Sequence, residues 1–188
     1  MATIRTFIAL PLPDPAREIL VSGQHALQPL LPADSVRWVH PAQMHLTLVF
    51  LGDTPLAQLS AIGTLLDAAA AAQKRFTLAI ARPGCFPNCR RPRVLWAGLG
   101  GDVAACQALK TALDQGLAPL GWEPEKRPYS PHLTLGRARQ NSRLPALDPA
   151  AVQLPPVSWE VDLLHLYESK LGPAGPRYTI RHTARLAS

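Results

Sequence analysis

The same four residues occur twice in the chain: His45-Leu46-Thr47-Leu48 returns as His132-Leu133-Thr134-Leu135. Each copy lies in a short apolar run, Met44 to Leu51 and His132 to Ala138, that reads as a strand. Side chains alternate faces along a strand, so His and Thr of each copy share one face and the two Leu share the other. One face is apolar and belongs in a core. The other presents an imidazole and a hydroxyl from a rigid element. A lone His-x-Thr on a strand reads as a structural histidine, but core packing has no use for two identical polar faces. If two such halves pack with approximate two-fold symmetry, both His-Thr pairs can meet across a cleft.

The rest of the chain supplies the elements such halves need. Thr3 to Leu10 reads as a first strand. Asp14-Pro15 reads as an N-cap followed by Pro at N1, opening a helix with Ile19, Leu20, Leu27, Leu30 and Leu31 on its stripe. Thr54-Pro55 reads as the start of a second helix, and Asp102 as the cap of a third. Phe76 to Ile80 and Val94 to Leu99 read as strands joined by a Pro, Gly and Arg-rich loop from Arg82 to Arg93. Trp159 to Tyr167 and Tyr178 to Arg185 read as the last two strands, after a linker-like stretch from Gln140 to Pro156. The chain has 20 prolines, and they cluster between the segments. Helices and strands mix without strict alternation, which predicts an α+β fold with mostly antiparallel sheet.

With 47% hydrophobic and 17% charged residues, the chain has the material for a core, which excludes general disorder. No run approaches the roughly 18 apolar residues of a membrane span. The early run Phe7 to Leu12 contains Pro11 and is shorter than a signal-peptide core of about 7–15 residues. Three cysteines exclude a disulfide scaffold, and their odd number fits a reducing cytoplasm. The formal charge of +6 points to a polyanionic partner. The charge is unevenly spread: no acid interrupts Ala68 to Gly101 or Lys126 to Arg143. Most of the 19 basic residues are Arg, whose planar fork grips phosphate on two sides. Taken alone, these stretches also fit a solvated basic surface.

Two imidazoles and two hydroxyls suit displacement at phosphorus. One neutral His takes a proton from the nucleophile while one charged His protonates the leaving oxygen. The Thr hydroxyls suit the non-bridging phosphate oxygens, and Arg137 adds a cationic grip. Neither motif has a second His or a carboxylate at ligand spacing, and Cys85 and Cys89 lack further ligands, so no metal and no cofactor is expected. No G-x-S-x-G is present, and no Cys lies near either motif in sequence. His25, His40, His165 and His182 read as structural or surface residues. Among Trp38, Phe50, Trp96 and Tyr129, a base-stacking role is open to one, with Trp96 and Phe50 read as core. Arg90, Arg91 and Arg93 are candidate contacts to a polyanionic partner.

At these residues the sequence resembles the 2H phosphoesterases, and most closely their RNA 2′,3′-cyclic phosphodiesterase branch, also called 2′-5′ RNA ligases. The resemblance spans nearly the whole chain. It includes Arg5-Thr6-Phe7-Ile8-Ala9-Leu10, Arg37-Trp38-Val39, and the first motif through Gly52. It continues in Arg91-Pro92-Arg93-Val94-Leu95-Trp96, Arg127-Pro128-Tyr129-Ser130-Pro131 through Arg137, Leu166 to Leu171, and Gly175-Pro176-Arg177-Tyr178. It implies one bilobal domain over residues 1–188, with two small antiparallel sheets, helices outside, pseudo-two-fold symmetry and an active site in the central cleft. It also implies hydrolysis of a terminal RNA 2′,3′-cyclic phosphate to a 2′-phosphate. By the same analogy His45 donates the proton, His132 accepts one, and Thr47, Thr134 and Arg137 hold the phosphate. The implied partner is RNA with cyclic ends, acted on by a monomer off the membrane. The rival readings are ATP-independent 2′-5′ ligation, cleavage of small cyclic or 2′-5′ nucleotides, and an RNA-end binding module without turnover.

Overall fold

The computed structural model describes residues 2–172 and 175–188. In chain order its elements are β1 (Thr3–Pro11), α1 (Asp14–Leu27), β2 (Val36–Trp38), β3 (His45–Pro55), α2 (Leu59–Ala71), β4 (Phe76–Phe86), β5 (Val94–Gly101), α3 (Val103–Leu117), β6 (Leu133–Ala138), β7 (Ser158–Val161), β8 (Leu163–Gly172) and β9 (Gly175–Arg185). One sheet has the order β3-β1-β8-β9 and the other β2-β6-β5-β4-β7. Every pairing between these strands is antiparallel, and the fold is α+β. Helix α1 packs against β6, α2 against β8, β9 and α3, and α3 against β3 and β4.

The motif leucines do what their alternation predicts. Leu46, Leu48, Leu133 and Leu135 are each 2% exposed or less. They join one hydrophobic cluster that also takes Leu20 from α1, Ile62 and Leu66 from α2, and Leu109 and Leu113 from α3. Burying one such side chain stabilises the fold by about 1.5–3 kcal/mol, so the motif strands are anchored from behind.

The two sheets correspond strand for strand once β2 is set aside: β3-β1-β8-β9 against β6-β5-β4-β7. The correspondence extends to a single residue. In the β1–β3 ladder the register skips between Val49 and Thr47, leaving Leu48 unpaired. In the β5–β6 ladder it skips between Gly136 and Thr134, leaving Leu135 unpaired. The last Leu of each motif is thus a β-bulge. A bulge reverses the facing of the residues after it. In β6 this leaves Leu135 and Gly136 buried and brings Arg137 to the exposed side, three residues beyond the partly exposed Thr134. Without the bulge, Thr134 and Arg137 would face opposite ways.

Several sequence expectations need correction. Thr54-Pro55 does not open a helix. Thr54 is still paired with Ile4, and its Oγ1 lies 2.7 Å from Thr6 Oγ1 in the buried ladder. Helix α2 starts after a short 3-10 turn at Leu56–Gln58. The residue at the N-cap of α1 is Pro13, with Asp14 already in the first turn. Asp102 does stand at the N-cap of α3, but its carboxylate accepts from the Thr77 amide instead of capping. Strand β4 continues to Phe86, so the basic loop shrinks to residues 87–93. Trp159 to Tyr167 divides into β7 and β8, which belong to different sheets. The linker-like stretch is packed down: Leu144 and Val152 are buried, and the Leu147 amide donates to the Cys89 carbonyl. Cys85 and Cys89 are joined by a disulfide, so they are not the free thiols that the cytoplasmic reading assumed.

Candidate active site

His45 begins β3, and His132 immediately precedes β6. Both rings are held the same way. His45 Nδ1 lies 2.7 Å from the Gln43 carbonyl, and His132 Nδ1 lies 2.8 Å from the Ser130 carbonyl. In each case the partner is the residue two positions upstream. A carbonyl only accepts, so Nδ1 carries the hydrogen and Nε2 is the nitrogen left for chemistry. Gln43 is itself fixed, because its side-chain amide donates to the Pro176 carbonyl at 2.6 Å.

Each ring rests on aromatic side chains from equivalent strands. Phe7 of β1 stacks on His45 at 4.7 Å, and Tyr167 of β8 lies beyond at 6.2 Å. Tyr178 of β9 adds an edge contact to His45 at 5.4 Å. Around His132, Phe86 of β4 makes an edge contact at 4.9 Å and Trp96 of β5 lies at 6.2 Å. This apolar bedding disfavours the charged imidazole. Burial pulls the His45 pKa down to about 4, against the opposing pull of the Gln43 carbonyl. Burial also lowers His132, where the Ser130 carbonyl opposes the shift and the Arg137 guanidinium adds to it. Arg137 is in turn held below the usual guanidinium range by burial and by Arg37, with Tyr178 acting the other way.

Tyr129 ties the two motifs together. Its hydroxyl donates to the Thr47 carbonyl at 2.8 Å, from a loop three residues before His132. Lys110 Nζ lies 5.7 Å from its ring centroid. Lys110 is paired with Asp114 on the same helix. Thr47 and His132, one from each motif, line a single cavity of about 680 Å³. Its apolar wall includes Phe50, Phe86 and Trp122, and its polar rim includes Arg93, Arg127 and Glu125.

The other residues singled out in the sequence take varied places. Phe50 is not core; it is 60% exposed at the cavity wall. Tyr129 is a half-buried tie. Trp96 is partly buried beside His132. Of the loop arginines, Arg93 reaches the main cavity, while Arg91 and Arg93 also border a recess of about 300 Å³ with Arg143. The Arg90 and Arg91 amides donate to Asn88 Oδ1, which shapes that loop. His165 is buried against Thr183, His182 meets Asp67, and His40 accepts from the Ala42 amide. Cys106 is buried, and burial pushes its thiol up to about 11, far from a reactive thiolate at neutral pH. Among the described residues, no three His, Cys, Asp or Glu side chains gather as a ligand set. No helix among them is long and apolar enough to cross a membrane. Sequence reading missed Gln43 and the bedding by Phe7, Phe86, Tyr167 and Tyr178, and gave Arg37 no role of its own. Only the nearness of Tyr129 to His132 gave a signal.

The sequence and the fold are similar to those of known proteins. Several relatives bear the name RNA 2′,3′-cyclic phosphodiesterase, among them two that match most of the chain. The one from Methanothermobacter thermautotrophicus is 33% identical over 97% of this chain and 99% of its own length. The one from Thermus thermophilus is 32% identical over 94% of this chain and 87% of its own. A crystal structure of a Thermus thermophilus protein superposes with a TM-score of 0.80 at 30% identity, covering 97% of this chain and 98% of that one. Escherichia coli LigT complexed with 3′-AMP superposes with a TM-score of 0.75 at 28% identity over the full length of both chains. Residues 23–173 match the family described as the 2′-5′ RNA ligase superfamily, and the chain belongs to that family.

Proposed function

We propose that the protein hydrolyses the 2′,3′-cyclic phosphate at the end of an RNA, leaving a 2′-phosphate and a free 3′ hydroxyl. The observation that carries this reading is the shared cavity, to which one motif contributes Thr47 and the other His132. His132 Nε2 accepts a proton from water as the water oxygen bonds to phosphorus. The P–O3′ bond breaks, and His45 Nε2–H delivers a proton to the departing 3′ oxygen. The Thr47 and Thr134 hydroxyls donate to the non-bridging oxygens, and Arg137 balances their charge. The proton then returns from His132 to His45 through solvent, closing the cycle without a metal or cofactor.

The pKa directions fit one further requirement. With both histidines lowered, the empty site holds two neutral rings near pH 7. The donor role of His45 then requires the bound phosphate, whose negative charge raises the pKa of an adjacent imidazole. The terminal nucleoside occupies the cavity, against Phe50 and Phe86. Arg90, Arg91 and Arg93 assist RNA binding from the neighbouring loop, and the protein works as a monomer.

The test incubates the purified protein with an oligonucleotide bearing a 2′,3′-cyclic phosphate, in EDTA. A 2′-phosphate product is expected. A 3′-phosphate product contradicts the bond assignment, and turnover only with added divalent metal contradicts the mechanism.

A further inference from the structure

Among the described residues, β2 is the one strand without a counterpart in the other sheet, and it lies beside the second motif. Its middle residue, Arg37, stands directly opposite Arg137 in the β2–β6 ladder. Both side chains are exposed, and the bulge at Leu135 has brought Arg137 to the exposed side of β6. Like charges directly opposed across two strands are destabilising. No ion pair offsets the opposition: among the described residues neither Arg37 nor Arg137 pairs with a carboxylate. Of the other strand arginines, Arg181 pairs with Glu168 and Arg185 with Asp162, while Arg5, Arg82 and Arg177 make no ion pair among the described residues; what sets Arg37 apart is its place directly opposite a second arginine. Arg37 and Arg139 also border a recess of about 460 Å³ with Trp38 and Asp34.

The guanidinium fork matches a phosphate oxygen pair, so an unpaired cluster of this kind suits a polyanion. Arg137 serves the reacting phosphate in the reading above, on which this inference rests. A cyclic phosphate closes the 3′ end of its RNA, so the chain leaves the site only toward its 5′ side. A cationic row on one side of the site, on the one strand that breaks the symmetry, fits a polyanion that leaves in one direction. We infer that Arg37 binds the phosphodiester next upstream of the cyclic end, forming a second phosphate subsite on the β2 edge. Arg37 thereby sets a preference for oligonucleotides over cyclic mononucleotides.

The experiment compares wild type, Arg37→Gln and Arg37→Lys on a 2′,3′-cyclic mononucleotide and on a trinucleotide with the same terminal nucleotide. Arg37→Gln is expected to lower kcat/KM on the trinucleotide about tenfold more than on the mononucleotide, through KM, as removal of one charge-assisted phosphate interaction implies. Arg37→Lys keeps the charge without the fork and is expected to fall between, and it carries the comparison if the Gln variant does not fold. Equal losses on both substrates, or no loss on the trinucleotide, overturn the inference while leaving the hydrolytic reading intact. Wild type that turns over neither substrate overturns that reading, and this inference with it.

Discussion

At the scale of single residues, the two histidines share a sequence, a hydrogen bond and an aromatic bed, yet only one proton is needed between them. Their lowered pKa values make the proton count of the empty site fall as pH rises through the acidic range. Since kcat/KM reports the free enzyme and kcat the complex, the two profiles should separate. We expect the alkaline fall of kcat/KM to lie below neutrality, and that of kcat to lie at higher pH once the phosphate anion raises the donor. Coincident profiles would contradict phosphate-assisted protonation. The same shift links His45 to stability. Its folded pKa of about 4 lies below the ordinary value of 6.5, so the unfolded chain binds the proton first as pH falls. His45 therefore costs on the order of 3 kcal/mol of stability as pH drops from 6.5 toward 4. Denaturant melts of wild type and His45→Ala should converge across that window if the linkage holds, and stay parallel if it does not. Tyr129→Phe removes only the hydroxyl that joins the motifs. Leaving the Thr47 carbonyl without its donor should cost about 1–3 kcal/mol of stability and lower kcat more than it changes KM. Equal kcat values would make the tie purely structural.

At the scale of elements, the bulges explain why a phrase of six residues is a working unit. His132, Thr134 and Arg137 share a face because Leu135 takes an extra place in the ladder. Gly136 completes the arrangement, because a Cβ there would come within 2.6 Å of Val36 Cγ1 and 2.9 Å of Trp38 Cε3. Gly136→Ala should therefore push β2 off β6 and destabilise the fold by about 1–3 kcal/mol, with a larger loss on oligonucleotides than on mononucleotides. A wild-type melting temperature in that variant would contradict the packing. The alternation of His, Leu, Thr and Leu was legible in the sequence because strand facing is local. The bulges were not, because register is set by the partner strand. Thr54-Pro55 carries a local helix-start signal that the buried Thr6–Thr54 contact overrides. Strand β2 is three residues long, too short for any periodicity. The Cys85–Cys89 disulfide was missed because cysteine number was read as a sign of compartment rather than of local distance.

At the scale of the whole molecule, a four-stranded sheet and the four matching strands of a five-stranded one give two equivalent histidines, and the asymmetric additions give the substrate a direction. β2 carries Arg37, and the β4–β5 loop carries Arg90, Arg91 and Arg93. Replacing those three loop arginines with Ala should weaken RNA binding and flatten its salt dependence, by about 0.7 in log–log slope for each phosphate no longer neutralised on a single strand. An unchanged slope would make that loop an ordinary solvated surface. The central claim is that two histidines suffice for the chemistry. It is tested most directly by the turnover of a cyclic-phosphate oligonucleotide in EDTA, measured for wild type, His45→Ala and His132→Ala at matched folded content. Full wild-type activity is expected, with a loss of at least about 10² in each variant. Near-normal turnover in either variant, or wild-type activity abolished by EDTA and restored by a divalent metal, would contradict it.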